Sequence, residues 1–142
     1  MTHLSKQNKS EFNWMKEIGL EWSNVLSELL DSEYSKHLST FIEQTYLSDK
    51  EVYPIKSRLF TSFKRCSLRD VKIVVIDNRP VKDSRSSGIG RGIVESSILI
   101  KDLPRELREF RDCIYETIYG NQYSIINFDN SLDDYCDQDM LF

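Results

Sequence analysis

The chain has 142 residues, 19 of them Lys or Arg and 23 Asp or Glu, for a formal net charge of -4, with 39% hydrophobic and 30% charged residues. This is the size and balance of one soluble globular domain, too short for two well-cored ones, and no run of about 18 apolar residues is present to span a membrane. Three widely spaced cysteines (Cys66, Cys113, Cys136) without a Cys-x-x-Cys pair, and two histidines (His3, His37), argue against a disulfide scaffold, a structural zinc site or a Ser-His-Asp triad.

The net charge conceals a polarity along the chain. Residues 1–55 sum to -4, residues 56–111 to +7 and residues 112–142 to -7. A basic middle suits phosphate and an acidic tail repels it. The plainer alternative is that the two neutralise each other within one fold.

Residues 1–13 are polar and are expected to be flexible, with a single domain following over residues 14–142. They lack the continuous apolar stretch of a signal peptide, so a cytoplasmic location is expected. Ile18, Trp22, Val25, Leu26, Leu29 and Leu30 recur at helical spacing and predict one amphipathic helix. Leu38, Phe41, Ile42 and Tyr46 predict a second. Tyr53-Pro54 interrupts the pattern, which Ile55, Leu59, Phe60 and Phe63 resume as a third. The β-branched run Val71-Lys72-Ile73-Val74-Val75-Ile76 suits a central strand of a parallel sheet covered on both faces.

A long loop runs from Asp77 through Gly92. Its Gly88-x-Gly90-x-Gly92 lacks the spacing of a dinucleotide fingerprint and reads as a flexible turn. Lys82, Arg85 and Arg91 in this loop are candidate phosphate contacts, with an ordinary solvated loop as the alternative. Pro104 opens a helix with Leu107, Phe110, Ile114 and Ile118 as its buried stripe, and Gly120-Asn121 reads as its stop. Residues 120–131 read as loop, and Met140-Leu141-Phe142 as the start of a second apolar strand. The tail acids Asp129, Asp133, Asp134, Asp137 and Asp139 do not fit a calcium loop, because Asp134 and Met140 stand where its glycine and terminal carboxylate belong. The order of helices, strand, loop, helix and strand predicts an α/β fold.

With these elements in place, Asp70-Val71-Lys72 leading an apolar strand into Asp77-Asn78-Arg79-Pro80 resembles the first strand and water-activating loop of the family 1 uracil-DNA glycosylases. Flanking features are similar too: Trp22-x-x-Val25-Leu26, Val52-Tyr53-Pro54, Leu59-Phe60-x-x-Phe63, Arg91-Gly92-Ile93-x-x-Ser96, Leu103-Pro104 before Leu107-x-x-Phe110, and Gln138-x-x-Leu141. The resemblance covers residues 18–142. It implies helices packed on a small parallel sheet, the N-terminal part of the family fold, in a divergent, C-terminally truncated member of viral or phage type.

The resemblance also implies a degenerate catalytic loop over Asp77, Asn78, Arg79, Pro80, Val81 and Lys82. Arg79 stands at the place of the water-activating aspartate, Val81 at that of the tyrosine walling the base pocket, Lys82 at that of the histidine that follows, and Glu95 at that of the stacking phenylalanine. A guanidinium cannot accept a proton, and a carboxylate offers no stacking face. Asp77 and Asp83 are the nearby carboxylates that would have to take over as base. The asparagine that reads the base would fall past Phe142. No catalytic residue and no cofactor is therefore expected, while Lys82, Arg85, Arg91 and Arg105 are the candidate DNA contacts; Arg105 stands where the family has a phosphate-binding serine. The implied role is a catalytically inactive glycosylase-like module, binding DNA through the basic middle, or a protein partner or second copy at the sheet edge and acidic tail, in DNA replication or repair. The alternative is an active enzyme that flips uracil out of DNA and hydrolyses its glycosidic bond.

Overall fold

The computed structural model describes residues 12–77, 81–94, 99–120 and 128–142. Four helices come first: α1 (Trp14–Ile18), α2 (Leu20–Val25), α3 (Ser27–Leu30) and α4 (Glu33–Leu47). A 3-10 turn (Lys56–Arg58) and α5 (Thr61–Arg65) lead to the strand β1 (Ile73–Val74). A second 3-10 turn (Ile100–Asp102), α6 (Arg105–Ile114), a π-helical turn (Tyr115–Tyr119), α7 (Asp133–Cys136) and the strand β2 (Met140–Leu141) complete the order. β1 and β2 are parallel, with Ile73 beside Met140 and Val74 beside Leu141. The helices and small parallel sheet are those of the expected α/β fold.

The first predicted helix is three. Gly19 adopts φ +86° and ends α1, and Leu26 leaves helical geometry between α2 and α3. These breaks rotate the stripe: Ile18 and Trp22 are buried, whereas Val25 and Leu29 are exposed. Asn13 caps α1 by accepting the Lys16 amide at 3.2 Å, and Phe12 packs edge-on against Trp14, so both residues at the end of the 1–13 stretch are engaged. The second predicted helix is α4, capped by Ser32, with Ile42 buried but Phe41 turned to solvent.

Two apolar clusters meet at β2. Ile18, Trp22, Cys66 and Leu141 form one, with Phe60, Phe63 and Val71 against it. Ile89, Ile93, Leu103, Leu107, Leu132 and Cys136 form the other, with Phe110, Tyr135 and Phe142 against it. Leu141 and Phe142 are adjacent, so strand alternation sends one side chain to each cluster. The Phe142 amide donates to Ser62 Oγ at 2.9 Å, and Trp22 Nε1 donates to the Cys66 carbonyl at 2.9 Å, tying both clusters to the segment around α5.

Three expectations are corrected. β1 is not covered on both faces: Ile73, Val74 and Ile76 are exposed. The amides of Lys72, Ile73 and Val75 bond to the β2 segment, and β2 is the one strand paired with β1 among the described residues. The glycine-rich loop is not a flexible turn but part of the core. Ser86 and Ile93 form an antiparallel bridge, Ile89 and Ile93 are fully buried, and the Ile93 amide donates to the Asn130 carbonyl at 2.6 Å. Finally, the stripe of α6 does not continue to Ile118. The π-helical turn shifts the register, burying Tyr115 and exposing Ile118.

Gly88 shows why the loop needs its glycines. It adopts φ +80°, and a Cβ there would lie 1.9 Å from the Arg58 carbonyl oxygen. Gly88→Ala is expected to cost at least about 2 kcal/mol, whereas Ile118→Ala should stay within about 0.5 kcal/mol of the unaltered protein. Urea unfolding of both variants checks the two values.

Candidate functional site

In a parallel sheet, the chemistry gathers beyond the carboxyl ends of the strands. At that end of β1 lies a cleft of about 260 Å³ lined by Val75, Asp77, Gly90, Arg91, Glu106, Leu107, Glu109, Phe110, Leu132 and Phe142. Its floor is the second apolar cluster and its rim is charged.

Arg91 organises the rim. Its side chain is only 17% exposed, and its Nε and Nη2 fork onto the Asp77 carboxylate, with Nη2 2.6 Å from Oδ1. Nη1 turns the other way and meets Glu106 Oε1 at 3.1 Å. One guanidinium therefore links the segment after β1 to the first turn of α6. The acidity of Glu106 is increased, first by the α6 backbone amide at its own position and then by Arg91.

Asp83 and Arg85 form a second fork within the same loop. Asp83 Oδ1 accepts from the Arg85 amide at 2.8 Å and from Nε at 2.9 Å, and Oδ2 accepts from Nη2 at 2.6 Å. The hydrogen bonds from the Arg85 side chain pull the Asp83 carboxyl down to about 2. On α6, Arg105 meets Glu109 at 2.7 Å one turn on, a largely exposed pair.

The four cations singled out in the sequence thus differ in state. Arg85, Arg91 and Arg105 each hold a carboxylate, and Arg91 holds two. Lys82 is exposed and makes no ion pair among the described residues. Nor does the acidic tail stand apart from the basic middle: Arg65 meets Asp137 at 2.6 Å and Asp133 at 3.7 Å, and Lys72 meets Asp139 at 2.5 Å. Asp129 shapes the turn into α7 instead, accepting from the Ser131 amide and hydroxyl and from the Asp134 amide. Mutual neutralisation, the plainer of the two readings of the charge polarity, holds at these positions. Of the cysteines, Cys66 and Cys136 are buried and Cys113 is exposed; burial raises the Cys136 thiol to about 11.

Sequence reading missed Glu106, Glu109 and Phe110 as walls of the cleft. Asp77 and Arg91 are 14 residues apart, a separation with no periodic signature. The one available signal was Ile89-x-x-x-Ile93, an apolar pair inside a glycine-rich stretch.

No family model matches the chain, but known proteins do. A uracil-DNA glycosylase of Lactobacillus delbrueckii subsp. bulgaricus is 30% identical over 106 residues, covering 73% of this chain and 42% of the relative. One from Lactobacillus acidophilus is 27% identical over 124 residues, 87% of this chain and 50% of the relative. One from Francisella philomiragia is 25% identical over 100 residues, 65% of this chain and 46% of the relative. The chain belongs to the uracil-DNA glycosylase superfamily. It spans about half the length, or less, of these curated relatives.

For this glycosylase-superfamily chain, the structure describes the expected loop at its two ends. Asp77 lies on Arg91, Val81 is half-buried and Lys82 is exposed, while Asn78, Arg79, Pro80 and Glu95 lie outside the described residues. No helix among the described residues is long and apolar enough to cross a membrane.

The Asp83–Arg85 fork has a pH consequence. A carboxyl lowered from its ordinary value near 3.8 to about 2 contributes stability that is fully present above pH 4 and lost as pH falls toward 2. Arg85→Gln should return Asp83 to near its ordinary value, and should remove on the order of 1 kcal/mol at pH 7, discounted for the partly exposed Arg85. Carboxyl NMR titration and urea unfolding at pH 7 and pH 2 check this, with the two proteins converging in stability at the lower pH.

Proposed function

We propose that this chain is a catalytically inactive uracil-DNA glycosylase-like protein, an accessory module that works by binding in DNA replication or repair. The observation that carries this reading is the state of the two carboxylates nearest Arg79 in sequence. Asp77 has both oxygens on Arg91, and Asp83 has both on Arg85.

Removing uracil by hydrolysis requires a group that takes a proton from water as the glycosidic bond breaks. A carboxylate forked onto a guanidinium is a weak base, because its lone pairs are engaged and its conjugate acid is strong. By the motif match, Arg79 stands where that base belongs, and a fixed cation there opposes the positive charge that develops on the sugar. Glu95, at the stacking position, offers no aromatic face for an extruded base. The alternative of an active glycosylase, needing no cofactor, draws its support from the names of the curated relatives.

For the binding role, Lys82 is the exposed cation among the described residues of the loop. Arg85, Arg91 and Arg105 would each have to leave a carboxylate to meet phosphate. Ile73 and Val74 of β1 and Ile76 just after it expose apolar side chains against which a protein partner or second copy can seat.

Incubation with uracil-containing single-stranded DNA is expected to release no uracil above buffer, and Arg79→Asp is expected to leave that unchanged; release by the unaltered protein would overturn the reading. In fluorescence anisotropy, any DNA binding should weaken steeply with salt and be indifferent to uracil.

A further inference from the structure

We propose that the cleft at the end of β1 receives an arginine side chain from a protein partner. The proposal deepens the reading of this chain as a binding module by giving the partner's chemistry, and it does not depend on the outcome of the uracil assay.

The first observation is charge. Among the described residues that line the cleft there are three carboxylates, Asp77, Glu106 and Glu109, and one guanidinium, that of Arg91, with Arg105 reaching Glu109 from beside it. Arg91 engages both oxygens of Asp77 and also meets Glu106 at Oε1. Glu109 is held through Oε1 by Arg105, whose side chain is 79% exposed, a pair that water and salt weaken readily. Glu106 and Glu109 are themselves 45% and 59% exposed, so these two carboxylates can be reached from outside while keeping their present partners. Such a rim repels a phosphate or a second carboxylate and attracts a cation.

The second observation is the floor. Leu107 and Leu132 are almost wholly buried beneath the cleft, and Phe110 and Phe142 line it with rings 6.0 Å apart, edge to face. A compact hydrated ion gains nothing from this surface. An arginine gains twice, because its methylene stem covers apolar carbon while its weakly hydrated planar head stacks on an aromatic face. Its fork of N–H donors also matches carboxylates presented one helical turn apart, as Glu106 and Glu109 are on α6. Lysine offers the charge without the plane.

The probe is N-acetyl-arginine amide, titrated into the full chain labelled with nitrogen-15. The amides of Val75, Asp77, Gly90 and Leu107 should move and saturate. N-acetyl-lysine amide should move them more weakly, and N-acetyl-glutamate and deoxyuridine monophosphate should leave them in place. Glu109→Gln, which keeps the Arg91 bridge, should weaken the arginine complex about threefold, and Glu106→Gln with Glu109→Gln about tenfold or more. Glu28→Gln, an equal charge change on exposed α3, should bind as the unaltered protein does. Still amides with arginine, a stronger response to the nucleotide, or full affinity in Glu109→Gln would each overturn the proposal. Uracil release together with a saturating arginine response would overturn the proposed function and leave this inference standing; the reverse pair of results would do the opposite.

Discussion

The guanidinium of Arg91 is the constraint on which the arrangement around β1 depends. It is nearly enclosed, and it reaches Asp77 at the end of the β1 segment and Glu106 at the start of α6. Between those anchors the chain must turn back through Ser86–Ile93, and that turn drives Ile89 and Ile93 into the core against Leu107 and Leu132. The close approaches at Gly88 and Gly92 follow, since each glycine lies where a side chain would strike the backbone of Arg58 or Ser131. A loop that reads as polar and mobile is thereby held from three sides. The same interaction engages both oxygens of the carboxylate nearest the strand end.

Charge is spent internally in the same way elsewhere. The middle of the sequence is strongly basic and the tail strongly acidic, yet Arg65 and Lys72 meet the tail at Asp133, Asp137 and Asp139. Exposed pairs of this kind add little stability each. Their larger effect is on recognition, because a cation already facing a carboxylate gains less from an approaching phosphate. Apolar side chains remain outward at Ile73, Val74 and Ile76, and among the described residues carboxylates outnumber guanidiniums in the lining of the cleft. In the proposed function, both features suit a protein surface better than a nucleic-acid backbone.

Much of the fold was legible in the sequence because it rests on local signals. The apolar spacing of α4, Pro104 ahead of α6, the β-branched run at β1 and the terminal Met140-Leu141 each name their element, and order alone then gives helices on a parallel pair. What was not legible depends on events the period cannot record. Gly19 breaks a stripe that counts as continuous, and the π-helical turn moves the buried position from Ile118 to Tyr115. The run at β1 carries the composition of a covered strand, but composition does not say what covers it. At the site, sequence identified the cations but not their partners. The Asp83–Arg85 fork is local and could have been anticipated from two residues' spacing, whereas Arg91 with Asp77 and Glu106 joins three segments that only folding brings together.

The most direct test of the central claim is a double-mutant cycle on unfolding free energy with Arg91→Met and Asp77→Asn. If the fork fixes the strand end and engages the carboxylate, the coupling energy should be about 1–3 kcal/mol and favourable. A coupling indistinguishable from zero would mean that Asp77 stands independent of Arg91, and would contradict the account in which that guanidinium both closes the loop and engages the carboxylate at the strand end.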